Sequence, residues 1–574
     1  MLYIFNKMGL YLNKVIFSLV FKTLGSLTDL VLPFLLAYMI DEMVYELDGD
    51  HLSPLYLMGI LMLLVSLLGW WFNVAANRSA ENVASRAVAD VRSELFYKIE
   101  RLNAKQVDRI STTSLISRMT TDTYNIYSMI GSLQRLGIRA PMLLIGGIIM
   151  ASFMDWVLTL IMVALLPFIV FIVYRYTKRG QPLYEDIQQQ VDQLIRTLRE
   201  NITGVRVIRA LSMTDYEQQR FKTENQKTVD KEVKATIVMN KIRPLIDLVM
   251  NIGLVVVLVI GAYRVAGLTT KVGSIIALVT YFTIILNAMM SITRIFIQIS
   301  RASASAKRIQ EVLMLEDDMI DGEKDIVEND EPHIEFDHVT FSYHGKEAHL
   351  EDITFKLYQG QTLGIIGATG SGKTTIINLL MRFYDPQQGE IKLYGVNIKD
   401  IKKENLRRHI GLVLQNDQVF SDTIYENIQF ARMSVSEEDV DLALDVAQAH
   451  FVHQVPGRLS HKVAQRGTNI SGGQRQRLLI ARAIAGKPSL LILDDASSAL
   501  DYQTDRNLRK AINSKLKNTT KVIVAQRISS IRDADLILLI EDGKIVAQGT
   551  HQDLVKTSDH YRVLVEHQLG EVES

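Results

Sequence analysis

Residues 361–374 read QTLGIIGATGSGKT, an apolar run that passes directly into a glycine-rich loop. The run has the composition of a short buried strand, and the residues after the loop, IINLLMRF at 376–383, have a helical pattern. The loop fits G-x-x-x-x-G-K-[ST], in which glycines let backbone amides approach phosphate groups and the following helix N-terminus adds partial positive charge. A strand, this loop and a helix in succession predict a nucleotide-binding domain of the α/β class.

The loop and the first turn of the helix are expected to surround the phosphates of ATP. The residues concerned are Gly367, Ala368, Thr369, Gly370, Ser371, Gly372, Lys373, Thr374 and Thr375. Lys373 would reach the β- and γ-phosphates, and the Thr374 hydroxyl would bind Mg²⁺. A second acidic element, LLILDD at 490–495, is an apolar strand that ends in two carboxylates. Asp494 suits the Mg²⁺ site, and Asp495 stands where a general base would face the attacking water.

Residues 1–310 differ from the rest of the chain because they carry long apolar runs. The clearest is VLTLIMVALLPFIVFIVY at 157–174, which contains no charged residue, and a transmembrane helix needs about 20 mainly apolar residues. Residues 1–11 are amphipathic and are expected to form a helix at the membrane interface. We predict a transmembrane α-helical domain over 1–310, with six spans at about 15–40, 53–76, 136–156, 157–176, 245–266 and 272–297.

The distribution of Lys and Arg predicts the orientation of these spans. Both residue types are frequent in the connections 77–135 and 175–243 and absent from 41–52, which places the long connections, both termini and the nucleotide-binding domain in the cytoplasm. Both long connections repeat apolar residues at helical spacing, so helical stalks should extend beyond the membrane. The acidic segment 311–333 is expected to be a linker. Residues 334–574 alternate short strands with helices, which indicates an α/β domain with a mainly parallel sheet.

A third motif lies between the phosphate loop and the acidic strand, where residues 469–484 read NISGGQRQRLLIARAI and SGGQ precedes an amphipathic helix. With this motif the chain resembles a half-transporter of the ATP-binding cassette (ABC) exporter superfamily, in which the transmembrane half precedes the cassette. The resemblance covers nearly the whole length, and its motifs stand in the family order. They are Tyr343 in FSYHG, the loop 367–374, Gln415 in LVLQND, the signature 470–474, the acidic motif 490–495 and SALD at 498–501.

The resemblance implies a two-chain ATP site, because in this family two cassettes dimerise head to tail. Each ATP, with Mg²⁺ as the second cofactor, lies between the phosphate loop of one cassette and the signature of the other. Tyr343 is then the aromatic residue that stacks on adenine, and Gln415 is a Mg²⁺ ligand and a residue of the catalytic site. Segments 111–122 and 211–220 would hold the short helices that dock the stalks on the cassettes. The signature residues that would contact the partner's ATP are Ser471, Gly472, Gly473 and Gln474.

Two positions depart from the family pattern. The family usually has Glu after the Mg²⁺-site aspartate, whereas this chain has Asp495, one methylene shorter, and a misplacement of about 1 Å can cost about 10²-fold in rate. The family has His in the switch loop, whereas this chain has Gln526 in KVIVAQRISSI, which can donate a hydrogen bond but cannot carry a positive charge. We expect the chain's own site to bind nucleotide and hydrolyse it slowly. A different half-transporter would supply Glu and His, as in bacterial heterodimeric multidrug exporters; a homodimer with two slow sites is the alternative.

The expected function is export of amphipathic drugs or lipids from the cytoplasm or inner leaflet of a bacterial cell membrane, by alternating access. Peptides or an endogenous metabolite are alternative cargoes, and an ATP-gated channel is an alternative mechanism. Asp29, Asp247 and Arg294 are candidates for the substrate path, because ionisable residues inside spans are rare. Asp29 could attract a cationic amphiphile or act as a counter-ion between helices, whereas Asp247 and Arg294 could equally reach the interface.

Composition excludes several other classes. The 574 residues include no cysteine, which excludes disulfides, thiolate zinc sites and iron–sulfur clusters. Lys plus Arg and Asp plus Glu each total 63, and a zero net charge argues against a bulk nucleic-acid binder. The six predicted spans also exclude a soluble cassette ATPase that acts on nucleic acid or ribosomes.

Overall fold

The computed structural model describes residues 1–44, 53–316, 319–343, 345, 347–430 and 435–569. The chain divides into two compact units. The membrane unit comprises Met1–Glu100 and Thr113–Met314, and the cassette unit comprises Arg101–Thr112 and Leu315–Ser574. Arg101–Thr112 therefore packs with the cassette, although it lies inside the predicted transmembrane domain. Residues 45–52 of the predicted connection 41–52, and residues 317–318 of the predicted linker, lie outside the described residues.

The described part of the membrane unit is helical. Its helices, with α4 (Ala104–Ile110) set apart because it belongs to the cassette unit, are α1 (Leu2–Gly9), α2 (Leu12–Tyr38), α3 (Ser53–Ile99), α5 (Thr112–Ser117), α6 (Thr123–Leu136), α7 (Arg139–Met154), α8 (Trp156–Thr203), α9 (Val205–Ala210), α10 (Thr214–Asn240), α11 (Ile242–Ala266) and α12 (Val272–Leu313). Two π-helical turns, Met39–Val44 and Arg118–Asp122, follow α2 and α5. Among the residues that the structure describes, six helical stretches are long and apolar enough to cross a membrane, which confirms the predicted membrane fold class.

The membrane unit is held together where small residues and buried aromatics meet on α2, α7 and α12. The buried Tyr281 hydroxyl donates to the Leu30 backbone oxygen at 2.7 Å. A Cβ on Gly147 would lie 2.9 Å from Ile285, so glycine allows α7 and α12 to approach closely. Helices α3 and α8 contain 47 and 48 residues, so at 1.5 Å per residue each is about 70 Å long, more than twice the thickness of a bilayer core. The C-terminal parts of α3 and α8 fall in the connections 77–135 and 175–243, where the sequence predicts helical stalks.

Helix α1 lies along α3 rather than standing alone. Ile4 and Met8 are buried, and Lys7 and the Tyr3 hydroxyl both contact the Glu94 carboxylate, at 2.7 and 2.8 Å. Leu2 and Phe5 of this helix, and Leu10 directly after it, are exposed. The predicted amphipathic character of residues 1–11 is therefore divided between a protein-facing side and an exposed apolar side.

The described residues of the cassette unit form two sheets, of which the sequence predicted one. The strands are β1 (Ile334–Phe341), β2 (Leu350–Leu357), β3 (Thr362–Ile366), β4 (Gln388–Leu393), β5 (Val396–Asn397), β6 (Ile410–Val413), β7 (Leu490–Asp494), β8 (Thr520–Val524), β9 (Leu536–Glu541) and β10 (Lys544–Gly549). The larger sheet has the order β10-β9-β3-β8-β7-β6, parallel except for the antiparallel edge strand β10. The smaller sheet, β2-β1-β4-β5, is antiparallel throughout.

Helices cover the parallel sheet and bury its apolar strands. They are α13 (Lys373–Leu380), α14 (Lys403–Arg408), α15 (Ile424–Gln429), α16 (Glu437–Val446), α17 (Gly472–Ala485), α18 (Tyr502–Lys515), α19 (His551–Thr557) and α20 (Asp559–Leu569), with short 3₁₀ turns between them. The core contains Ile365, Leu490, Ile492 and Val522, all essentially inaccessible to solvent. Because β3, β8 and β7 are parallel, the carboxyl ends of β3 and β7 lie at the same edge of the sheet, close to the start of α13.

Candidate nucleotide-binding site

The phosphate loop connects β3 to α13 and depends on glycine at three positions. Gly370 and Gly372 have φ values of 86° and 105°, in the left-handed region that residues with a Cβ rarely adopt. A Cβ on Gly367 would lie 2.1 Å from the Ile540 backbone oxygen, so the loop also passes too close to β9 for any larger residue. Residues 367–372 therefore form a tight arch at the N-terminus of α13, and the predicted residues 373–375 are the first turn of that helix.

The arch leaves hydrogen-bond donors for an anion. Gly372 caps α13 without a side chain, so no side chain competes for the first amides of the helix. The buried Ser371 hydroxyl has no hydrogen-bond partner among the described residues. The Lys373 ammonium donates to the backbone oxygens of Gly367 and Ala368, at 2.9 and 2.6 Å, and burial lowers its pKa. These groups fit a bound polyphosphate, because helix N-termini and unpaired donors attract negative charge.

The Mg²⁺ candidates meet where β7 ends beside the first turn of α13. The Thr374 hydroxyl donates to an Asp494 carboxylate oxygen at 3.2 Å. Asp494 is 2% exposed, and burial raises the pKa of its carboxyl group. A hydroxyl and a carboxylate are the ligands that Mg²⁺ takes from proteins when phosphates supply further oxygens. Gln415 lies on the wall of the same cavity.

Asp495 and Gln526 contact each other in this cavity. The Gln526 side-chain amide donates to Asp495 Oδ2 at 3.2 Å. Asp495 has a φ of 50°, and its backbone amide donates to the Val524 oxygen at 3.0 Å, so its main chain is held against β8. Burial raises the pKa of the Asp495 carboxyl group. The arrangement brings the predicted general base and switch-loop residue together.

The cavity has a volume of about 410 Å³ and gathers most of the predicted site. The predicted residues on its wall are Thr369, Gly370, Gly372, Lys373, Thr374, Thr375, Gln415, Asp494, Asp495 and Gln526. Tyr343 borders a neighbouring cavity of about 420 Å³ and reaches the first one through its hydroxyl, which lies 3.4 Å from Thr375 Oγ1. Its ring packs edge-on against Tyr384, with centroids 5.0 Å apart.

The signature residues are not on the wall of this cavity. Ser471 caps α17, accepting from the Gln474 amide at 3.2 Å while the Gln474 side chain accepts from Ser471 N at 2.9 Å. Ser471 and Gly472 are exposed, and a Cβ on Gly472 would meet open space. This helix start is a separate, accessible set of donors on the same unit.

Some cavity residues, which come from the β1–β2 and β9–β10 turns, were not predicted from the sequence. His349, Asp542 and Gly543 line the cavity, and the Gly543 amide donates to the Ser371 oxygen at 3.1 Å. The turn at EDG, 541–543, is visible in the sequence as a hairpin signal. Its contact with the phosphate loop arises because β9 lies beside β3 in the sheet, and no local sequence pattern indicates that strand order.

The ionisable residues predicted for the substrate path fall into two groups. Asp29 pairs with Arg139 of α7 at 2.9 Å, so the counter-ion interpretation fits its surroundings better than a free carboxylate for a cation. Asp247 and Arg294 are both exposed, and Arg294 donates to Ser291 Oγ at 3.2 Å.

A buried cation, Lys22, lies in the first span and was not predicted from the sequence. Lys22 is 3% exposed and donates to the side-chain oxygens of Asn73 and Asn77 on α3, at 2.9 and 3.0 Å. A charged residue at this depth is expensive unless it is hydrogen-bonded, and these bonds tie α2 to α3. The lysine itself was visible in the sequence, but its partners are about 50 residues away.

Comparison with known proteins agrees with both units. The family description "ABC transporter transmembrane region" matches residues 15–289, and "ABC transporter" matches residues 350–498. A Bacillus subtilis protein named uncharacterized ABC transporter ATP-binding protein YfiB is 33% identical over 94% of this chain and 94% of its own length. An ATP-dependent lipid A-core flippase of Pseudomonas fluorescens is 32% identical over 96% of this chain and 93% of its own length.

A solved structure of a bacterial Atm1-family ABC exporter with ATP bound has the same fold. The TM-score is 0.80, with 24% identity over 98% of this chain and 99% of that one. The two family matches follow the order of the membrane and cassette units, and the relatives align over nearly the full length of both chains. The described part of the chain has six helical stretches long enough to cross a membrane. The chain belongs to the ABC transporters, as an exporter half-transporter of the bacterial cell membrane with a cytoplasmic nucleotide-binding domain.

Proposed function

We propose that this chain is one half of an ATP-driven exporter of amphipathic drugs or lipids, and that its own ATP site is degenerate. The observation that carries the proposal is the pair Asp495 and Gln526, which face each other at 3.2 Å on the cavity wall where the family resemblance implies Glu and His. Hydrolysis would occur chiefly at the second site of the assembly. That site would combine the partner's phosphate loop with the signature of this chain.

The geometry of Asp495 supports slow turnover at the chain's own site. Its backbone is held by the hydrogen bond to Val524, so the main chain cannot advance to compensate for the shorter side chain. Gln526 offers the γ-phosphate a neutral amide donor, whereas a protonated His would add a positive charge. Nucleotide binding is expected to persist, because the phosphate loop, Lys373, Thr374 and Asp494 are all in place.

The separation of the anion-binding groups within the unit supports a second chain. The phosphate loop borders the cavity, whereas Ser471 and Gly472 are exposed at the start of α17 and are not on the cavity wall. Head-to-tail pairing would place this exposed helix N-terminus against the γ-phosphate held by the partner. The intact signature is of use only to that partner.

The tip of the α8–α10 hairpin also supports a partner chain. Helix α9 buries none of its residues, and Val207, Leu211 and Tyr216 are each at least 60% exposed. The hairpin beneath is ordered by Asn201, which donates to Glu217 at 2.8 Å, and by the Arg220–Glu200 ion pair at 2.8 Å. A rigid tip that presents apolar side chains suits docking on another protein surface.

In the proposed mechanism, this chain binds ATP and transmits its effects more than it hydrolyses ATP. The phosphate loop and Lys373 hold the phosphates, Tyr343 stacks on adenine, and Thr374, Asp494 and Gln415 would hold Mg²⁺, which shields the phosphate charge. Closure of the two cassettes would move the stalks and turn the membrane path outward. Hydrolysis at the other site would reset it. The lipid A-core flippases among the relatives favour a lipid or lipid-like cargo.

The test compares ATP turnover of the purified chain in lipid nanodiscs with turnover of the complex formed when the neighbouring half-transporter gene is co-expressed. We expect little turnover alone and fast turnover in the complex. Lys373→Ala should reduce the activity of the complex less than the same change in the partner's phosphate loop. Fast turnover by the chain alone would contradict the degenerate-site proposal and indicate a homodimer. Flux of a solute down its gradient without hydrolysis would indicate a channel.

A further inference from the structure

The chain passes between its two units at three points, after Glu100, after Thr112 and after Met314. Within the cassette unit, the first and last of the crossing segments are tied together. Gln106 of α4 donates to the Glu316 backbone oxygen at 2.6 Å. The hydroxyl of Tyr384, whose ring packs against Tyr343, donates to the Asp108 carboxylate of α4.

Within the membrane unit, the chain just after Thr113 and the chain just before Met314 are also joined, through hydrogen bonds to one carboxylate. Asp122 accepts from Ser305 Oγ at 2.8 Å, from Arg308 Nε at 2.9 Å, and from a second guanidinium nitrogen of Arg308. Arg118 donates to the Arg308 backbone oxygen at 2.7 Å. We name these four residues, Arg118, Asp122, Ser305 and Arg308, the stalk clamp.

The stalk clamp is rigid for electrostatic reasons. The Asp122 side chain is 2% exposed, and a carboxylate at that burial is stable only if charged and polar donors surround it. The two-pronged Arg308 contact fixes both distance and orientation, because the guanidinium plane must match the carboxylate plane. Asp122 also ends the π-helical turn Arg118–Asp122, and such turns are frequent at functional sites in helices.

The position of the clamp in the chain gives it a further role. Asp122 lies nine residues after the crossing at Thr113, and Arg308 lies six residues before the crossing at Met314. We propose that the stalk clamp makes these two crossings move as one body, so that a displacement of the cassette reaches α6 and α12 together. Asp122 and Arg308 are then positioning residues for energy coupling, not catalytic residues. This inference does not depend on whether the chain pairs with itself or with a different half-transporter.

Since this chain contains no cysteine, a single introduced cysteine is the only position in it that a thiol reagent labels. Leu268 is 94% exposed in the turn between α11 and α12, and Leu268→Cys would be labelled with bimane in the assembly that the chain forms in lipid nanodiscs. Two quantities are measured in each variant: ATP turnover, and the bimane fluorescence change on addition of ATPγS with Mg²⁺. The clamp variants are Asp122→Asn and Arg308→Gln, with Arg308→Lys as the conservative variant. Lys227→Gln, which removes the Lys227–Glu224 ion pair of α10 through its exposed lysine, is the matched control.

We expect Asp122→Asn and Arg308→Gln to keep basal turnover within about twofold and to reduce the fluorescence change about five- to tenfold, at the low end of the roughly 5- to 150-fold coupling found between allosteric sites. Arg308→Lys should recover part of the response, and Lys227→Gln should match the parent. A full fluorescence change in Asp122→Asn would overturn the proposal. So would a loss of response that accompanies an equal loss of turnover and of thermal stability, because that pattern indicates a purely structural ion pair.

Discussion

Replacement of Asp495 by Glu is the sharpest test of the site, because it adds the one methylene that this chain lacks. The extra carbon–carbon bond advances the carboxylate by about 1.5 Å, toward the cavity that Asp495 shares with Gln526. The backbone amide of residue 495 donates to the Val524 oxygen at 3.0 Å. Since the backbone is held there, most of the added length should move the carboxylate further into the cavity. Since a misplacement of about 1 Å can cost about 10²-fold, we expect Asp495→Glu to raise turnover at this site about 10²-fold, equivalent to about 2.7 kcal/mol of activation free energy.

Turnover would be measured as phosphate release in lipid nanodiscs, with the partner's own general base changed to the amide so that only this chain's site contributes. Asp495→Glu/Gln526→His is the second variant, and a further increase is expected because the imidazole can carry a charge to the γ-phosphate. Asp400→Glu is the matched control, since Asp400 is exposed, pairs with Lys324 at 2.9 Å and lies away from the cavity. If neither variant exceeds the parent, the length of the side chain does not limit hydrolysis, and the proposed reason for degeneracy is wrong.

Three further predictions concern binding and stability. Lys373→Ala should weaken binding of a fluorescent ATP analogue to this chain about 10- to 100-fold, because charged hydrogen bonds contribute about 1.5–3 kcal/mol. Burial lowers the pKa of His333 to about 4, so the folded protein holds the imidazole neutral. The resulting stability is complete above the ordinary pKa of about 6.5, and the free energy of unfolding should fall by about 2 kcal/mol at pH 5. Hydrogen exchange in β1 and β8 should show this fall as a loss of protection, and His333→Phe should abolish the pH dependence. Arg139→Met should destabilise the membrane unit by roughly 1–2 kcal/mol in thermal unfolding, because the Arg139–Asp29 pair is only partly exposed, and Asp29→Asn added to it should restore part of the loss.

The sequence was most informative where neighbours in the chain are neighbours in the fold. The strand, loop and helix around Lys373 follow one another directly, and glycine at 370 and 372 has a local steric reason. The six spans were equally predictable, because burial in lipid depends on length and composition alone. The acidic strand end at Asp494 and Asp495 came from the same kind of local pattern.

The sequence was least informative where distant segments pair. The antiparallel sheet joins β1, β2, β4 and β5, and register between such strands depends on partners that no local pattern identifies. Contacts with distant segments were equally unpredictable in two other places. Arg101–Thr112 packs with the cassette unit, and Lys22 in an apolar span has polar partners on α3. The turn at 541–543 was visible as a turn, but its place beside the phosphate loop was not.

The two longest helices differ in a way that affects how force travels through the molecule. Helix α3 has proline only in its first turn, at Pro54, whereas α8 has Pro167 and Pro182 in its interior, where each removes a backbone hydrogen bond and permits a bend. A rod of about 70 Å that turns by about 5° about one end displaces the other end by about 6 Å without changing shape. Helix α3 should therefore behave as a stiff lever that amplifies a small rotation, and α8 as a jointed one that absorbs part of the same rotation at its two prolines.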